Sequence, residues 1–329
     1  MNFDKSMSQV AATMGVATDE IADLRDFAMD MGSKTAFSAT QAADAMNFMA
    51  LAGYDAKTSM DMLPNVLNLA AAGGMELAAA SDMITDSQSA LGLTLEETAA
   101  LVDKMAVASS KSNTSVSQLG SAILTVGGTA KTLSGGTTEL AQVLGLLADN
   151  GVKGAEGGTA LRNIILSLTA PTDKAAKKFK ELGVQVLDSS GDMRSMEDIF
   201  SDLNAALSDM SEGEKTAVLS ELFNKVDLKS VNALMNTNAD RWKELSAAID
   251  DYNGAAEQMA NTQLDNLAGD ITLLQSAFEG LQIVVADGLT PDLRGFVQLA
   301  TDGITSVTDA FKSGGFDAVM RRKRTKNNG

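Results

Sequence analysis

Apolar residues recur every three or four positions along almost the whole chain, and glycines punctuate them. Met7, Val10, Ala11 and Met14 form one stripe; Ile21, Leu24, Ala28 and Met31 form the next, with Gly15 between them and Gly32 after. That spacing predicts helices. Four apolar-periodic segments open on Ser or Thr with Gln or Glu three residues on: Ser38 and Gln41, Thr94 and Glu97, Ser115 and Gln118, Ser211 and Glu214. At that spacing each side chain can satisfy a backbone N–H at a helix start. Further helices are expected at about 56–72, 75–91, 171–182, 196–210, 215–223, 226–235 and 241–252. Pro64 should kink or divide the first of these. Residues 127–138, rich in Gly, Thr and Ser, read as a mobile loop. At 184–194 the period changes. Val184 and Val186 alternate around Gln185, a turn follows at 188–192, and a small β-hairpin is expected.

From residue 255 the stripe lengthens. Leu264, Leu267, Ile271, Leu274, Phe278, Leu281 and Val285 are spaced as heptads and form a candidate self-association seam. After Pro291 a second run follows in a new phase: Leu293, Val297, Ala300, Ile304, Val307 and Phe311. The expected fold is all-α, a multi-helix bundle of helical hairpins over 3–253. A long heptad-patterned, coiled-coil-like helical segment covers 254–313, and a basic disordered tail covers 314–329.

The middle of the chain carries a glycine-centred stretch, Gly151-Val-Lys-Gly-Ala-Glu-Gly-Gly-Thr-Ala-Leu-Arg162, between two helical runs. Gly151 stands where a helix takes a left-handed terminal residue. Glu156 suits the positive end of the next helix. A phosphate loop would need Gly-Lys-Ser/Thr at its end, and the matching positions here are Gly157, Gly158 and Thr159. The stretch reads as a helix-turn-helix joint, with Gly151, Lys153, Gly154, Gly158, Thr159, Leu161 and Arg162 as its signature. A fainter echo lies 98 residues earlier, where Ala50, Gly53, Leu63, Asn65 and Val66 match Ala148, Gly151, Leu161, Asn163 and Ile164.

Composition narrows the chemistry. The 329 residues include no Cys and no His. Thiolate nucleophiles, imidazole acid–base catalysis and zinc sites built on those residues are excluded. Asp188 and Asp192 do not meet the calcium-loop pattern. No cofactor and no metal is expected. Aromatic residues are only 4% of the chain, so Ala and the 18 Met carry much of the packing. Net charge is −17, which opposes non-specific nucleic-acid binding and contact with anionic membranes. The exception is the basic end at 321–326.

The residues now point to a family. Gly151-Val-Lys-Gly with Gly158-Thr-Ala-Leu-Arg162 resembles the Gly-Ile-Lys-Gly…Gly-Thr-Ala-Leu-Arg signature of the phage tail tape measure protein core region. Stretches 7–12, 37–39 with 50–54, 63–73, 109–115, 170–172, 182–184 and 188–194 resemble that family in the same order. Together they cover about residues 3–290. The resemblance implies a structural virion protein, not an enzyme. Such a protein sets tail length during assembly and occupies the tail tube lumen until DNA ejection, after a period in the host cytoplasm. It implies tail tube protein, tail assembly chaperones and baseplate or initiator proteins as partners. Self-association as a trimer or hexamer and contact with the host envelope on ejection are further expectations. Family members have a long helical body beyond this region. A single helix of this length would reach only about 490 Å, so the chain is expected to be a core-region fragment.

A second reading is a membrane-active helical protein aiding genome delivery, motivated by the Met- and Ala-rich helices and the run Ile283-Val-Val-Ala286. A third is a glycoside hydrolase built on two carboxylates, for which no motif is present.

Overall fold

The computed structural model describes residues 2–287 and Thr305. The described chain is all-α. Its first half comprises α1 (Asn2–Met14), α2 (Ala22–Lys34), α3 (Ala39–Leu51), α4 (Ala56–Gly73), α5 (Leu77–Leu91), α6 (Leu95–Lys111), α7 (Val116–Val126) and α8 (Gly136–Asp149). Then come α9 (Gly154–Thr169), α10 (Asp173–Leu182), α11 (Met196–Ala206), α12 (Glu212–Leu222), α13 (Leu228–Met235), α14 (Ala239–Asp250), α15 (Ala255–Leu264) and α16 (Leu267–Asp287). The second apolar run, apart from Thr305, and the basic end lie outside the described residues.

The starts of these helices follow from local chemistry. Ser38, Thr94 and Ser211 each accept a hydrogen bond from the backbone N–H three residues on, and Gln41, Glu97 and Glu214 reach back to the capping residue. Those bonds satisfy donors that a helix start otherwise leaves unpaired. Ser115 also caps α7 through Gln118 N, but the Gln118 side chain accepts from the Thr114 hydroxyl instead. Hydrogen bonds from Thr94 hold Glu97 below the usual carboxylate range, and those from Ser211 do the same for Glu214.

One continuous apolar core runs from Phe3 to Ile283. In its first half α3 is central, with α1 and α2 on one side and α4 and α5 on the other. Its buried face is Ala39, Ala42, Ala43, Ala45, Met46 and Met49. Small residues let the neighbouring helices approach, and methionines fill the gaps that remain. One aromatic cluster lies in the second half. Phe200 stacks between Phe223 and Trp242, with ring centroids 6.3 and 6.4 Å away, and Phe179 meets Phe223 edge-on.

Of the two outcomes expected at Pro64, division does not occur, since α4 runs continuously from Ala56 to Gly73. Two other expectations change. Residues 127–138 are mostly helical: Gly127–Thr132 form a 3-10 helix and α8 begins at Gly136. The Ala130 and Leu133 side chains are buried, and this burial overrides the local Gly/Thr/Ser signal. The hairpin at 184–194 contracts to one antiparallel bridge between Leu187 and Met193. The Asp188 carboxylate accepts from Ser190 and Asp192 N–H and holds the turn. The arms beside it are too short to form strands.

Candidate functional site

The central stretch folds as a joint between α8 and α9. Gly151 has φ 78°, and its N–H donates to the Ala148 carbonyl at 3.0 Å. The Val152 N–H donates to the Leu147 carbonyl, also at 3.0 Å. This pair of bonds is the Schellman closure, and both Val152 and Leu147 are fully buried at the turn. Lys153 is extended and precedes α9 without a side-chain cap, and Gly154 is again left-handed with φ 56°. The echo at Gly53 has the same geometry, with Gly53 N bonding Ala50 O and Tyr54 N bonding Met49 O. The same two bonds also close α1, α4 and α10. The echo therefore marks a recurrent chain-reversal device, not a counted repeat.

A Cβ at Gly151 would meet no atom within 4 Å. The cost of Gly151→Ala is thus confined to the backbone, about 1–2 kcal/mol. Urea unfolding should show that loss, with a smaller one for Gly151→Asn, which tolerates the left-handed region better.

Past the turn, α9 buries Gly157, Gly158, Ala160 and Leu161. Gly158 lies at the crossing with α7. A Cβ there would stand 2.8 Å from Thr125 Cβ and 2.9 Å from the Ala122 carbonyl carbon. Thr159 is half-buried and Arg162 is exposed. Among the described residues neither Lys153 nor Arg162 forms an ion pair. Other polar groups clamp the joint. Asp149, the last residue of α8, pairs with Arg241 at 2.8 Å and accepts from the Asn113 N–H at 2.8 Å. On the far side Asn163 donates to Asp227 at 3.0 Å, and Glu156 pairs with Lys229 at 2.9 Å.

Two carboxylates that the sequence did not single out, buried Glu139 and half-buried Asp103, are also structural. Glu139 in α8 accepts from Met196 N at 2.5 Å, Gly135 N at 2.8 Å and the Ser134 hydroxyl at 3.3 Å. It fastens the start of α11 to α8. Asp103 accepts from Gly254 N and Ala256 N, both at 2.9 Å, and so caps α15 from α6. A polar residue on an otherwise apolar face, as Glu139 is among Leu140, Val143 and Leu144, was the available signal. Among the described residues no cluster of three or more carboxylates could hold a metal, and no helix is long and apolar enough to cross a membrane.

The heptad seam is divided. Leu264 ends α15, and α16 restarts at Leu267 after Asp265 and Asn266. The Asn266 side chain accepts from Ala268 and Gly269 N–H and starts the new helix. A Cβ at Gly269 would lie 2.7 Å from the Leu264 carbonyl carbon, so this elbow needs glycine. The two helices also sit differently. α15 packs between α4 and α6, whereas α16 rests mainly on α2. Its buried positions are Gly269, Ser276 and Ile283, at heptad spacing. Polar contacts complete the attachment: Ser276 donates to the Ala36 carbonyl, and Glu279 accepts from Thr40 N and the Thr40 hydroxyl. The predicted seam faces outward. Leu267 is 75% exposed, Ile271 48%, Leu274 63% and Phe278 40%, while Leu281 and Val285 are half-buried.

Comparison with known proteins finds phage tail proteins. A family model described as phage-related minor tail protein matches residues 25–224. The chain is 33% identical to the tape measure protein of Pneumococcus phage Dp-1 over 309 residues, covering 94% of this chain and 26% of that protein. It is 30% identical to the probable tape measure protein of Escherichia phage P2 over 305 residues, covering 91% of this chain and 37% of that protein. The chain thus spans about a quarter to a little over a third of the length of these relatives. No solved structure matches it.

Proposed function

The chain belongs to the phage-related minor tail protein family, and from that premise we propose that it works as part of a tail tape measure protein. In this role it is a structural component that sets tail length during assembly and occupies the tube lumen until DNA leaves. The observation that carries the reading is similarity to two tape measure proteins along more than nine-tenths of the chain. The fold supports a structural rather than catalytic role. Its carboxylates Glu139 and Asp103 are occupied by backbone N–H groups, and its signature residues build a turn and a helix crossing. Tube subunits, assembly chaperones and baseplate proteins are the partners this role requires.

The packing suits a protein that is compact when free and extended in a tube. Eight of the helices, α3, α4, α6, α7, α10, α11, α12 and α14, carry a side-chain cap of their own, so they can persist while contacts between helices change. Interfaces of Ala and Met are weakly shape-specified and cost less to rearrange than interlocked aromatic ones. Peptides from residues 2–287 should be recovered from purified phage tails and be depleted from tails that have ejected DNA. Recovery from infected-cell cytoplasm with none in tails would overturn the reading.

A further inference from the structure

α16 is mounted with Leu267, Ile271, Leu274 and Phe278 outward. Gly269, Ser276 and Ile283 are its buried positions, and open crevices of about 880 and 900 Å³ flank it. A row of exposed Leu, Ile and Phe along about three turns, from Leu267 to Phe278, is costly to leave in water, so a partner surface is required. The sequence that follows supplies one. After Asp287 comes the connector Gly288-Leu-Thr-Pro-Asp292, and then the apolar run from Leu293 to Phe311. The stripe 267–285 and the run 293–311 are equally long, and both are spaced 4, 3, 4, 3, 4. That spacing reads the same in either direction. An antiparallel pairing about the connector therefore sets every apolar position of one opposite an apolar position of the other. Val285 falls beside Leu293 next to the turn, and Leu267 beside Phe311 at the far end. Phe278, the bulkiest residue of its row, falls opposite Ala300, the smallest of the other.

We propose that residues 293–311 of the same chain cover the outward stripe of α16, forming an antiparallel helical hairpin closed by residues 288–292. A connector of this length is typical of such hairpins. It holds the run close to the stripe at an effective concentration that a separate molecule reaches only in the millimolar range. Thr305, the one described residue of the run, is helical and exposed, and it lies off the apolar row beside Ile304.

The chain contains no cysteine, so two introduced thiols are the only ones present. The full chain carrying Leu281→Cys with Val297→Cys should form an intramolecular disulfide at low protein concentration. Ile271→Cys with Val307→Cys should do the same at a second level of the hairpin. On non-reducing gels each matched pair should give at least tenfold more of the faster-migrating monomer than the displaced pair Leu281→Cys with Val307→Cys. Equal yields from matched and displaced pairs would overturn the proposal. So would disulfides formed chiefly between chains, which would mean that a second copy covers the stripe.

Discussion

Gly158→Val should be among the most damaging single substitutions in the chain, lowering stability by roughly 3 kcal/mol and shifting the urea midpoint accordingly. The glycine is not there for its backbone freedom, since it lies in the regular part of α9. It is there because α7 passes directly over it. A side chain would run into the Ala122 carbonyl and Thr125, and neither can rotate away as the end of a long side chain could. Separating the helices would also uncover Leu119, Ile123, Leu161 and Ile165, which are now buried. Gly213→Ala is the matching control. Gly213 lies in α12 with nothing within 4 Å and without a positive φ, so alanine there should be neutral or slightly stabilising. Equal losses at both positions would show that helix propensity, not the crossing, sets the cost.

The second large loss is expected at Glu139. Removing its carboxylate leaves the Met196 and Gly135 N–H groups without their acceptor in a region where Met196 is fully buried. Two buried donors left without their acceptor cost about 3 kcal/mol together. Glu139→Ala should show that loss in denaturant unfolding. Glu139→Gln, which keeps one acceptor oxygen, should lose less. An Ala variant as stable as the parent would mean that water replaces the carboxylate and that α11 is held by packing alone.

These two residues also show where the sequence is readable. Ser38 with Gln41 and Thr94 with Glu97 act within one turn, so their residue types alone specify the bonds they make. Gly151 is likewise a local matter, and its position after an apolar run marked it as a turn. Gly158 is not local. Nothing in α9 says that Ala122 and Thr125 will lie above it, because a helix crossing is a property of two distant segments. Glu139 could be seen as an oddity on an apolar face, but its partner Met196 is 57 residues away. The stripe on α16 shows the same division. Its period was visible, yet which side meets the bundle was decided by small and polar residues at 269, 276 and 279. The hydrogen-bonding partners Ala36 and Thr40 lie more than 200 residues earlier. The break after Leu264 was also hidden, since heptad spacing continues across it while Asn266 starts a new helix. At 127–138 local composition pointed to a loop, and burial of Ala130 and Leu133 made it helical.

The central claim, that this helical region contributes length to a phage tail, is tested most directly by electron microscopy of phage whose tape measure gene carries an in-frame duplication of the region coding for residues 2–287. The account predicts longer tails. The increase should approach about 430 Å if the added helices are laid end to end at 1.5 Å per residue, and be less where they stay bundled. Tails of unchanged length, from particles shown to contain the duplicated protein, would contradict it.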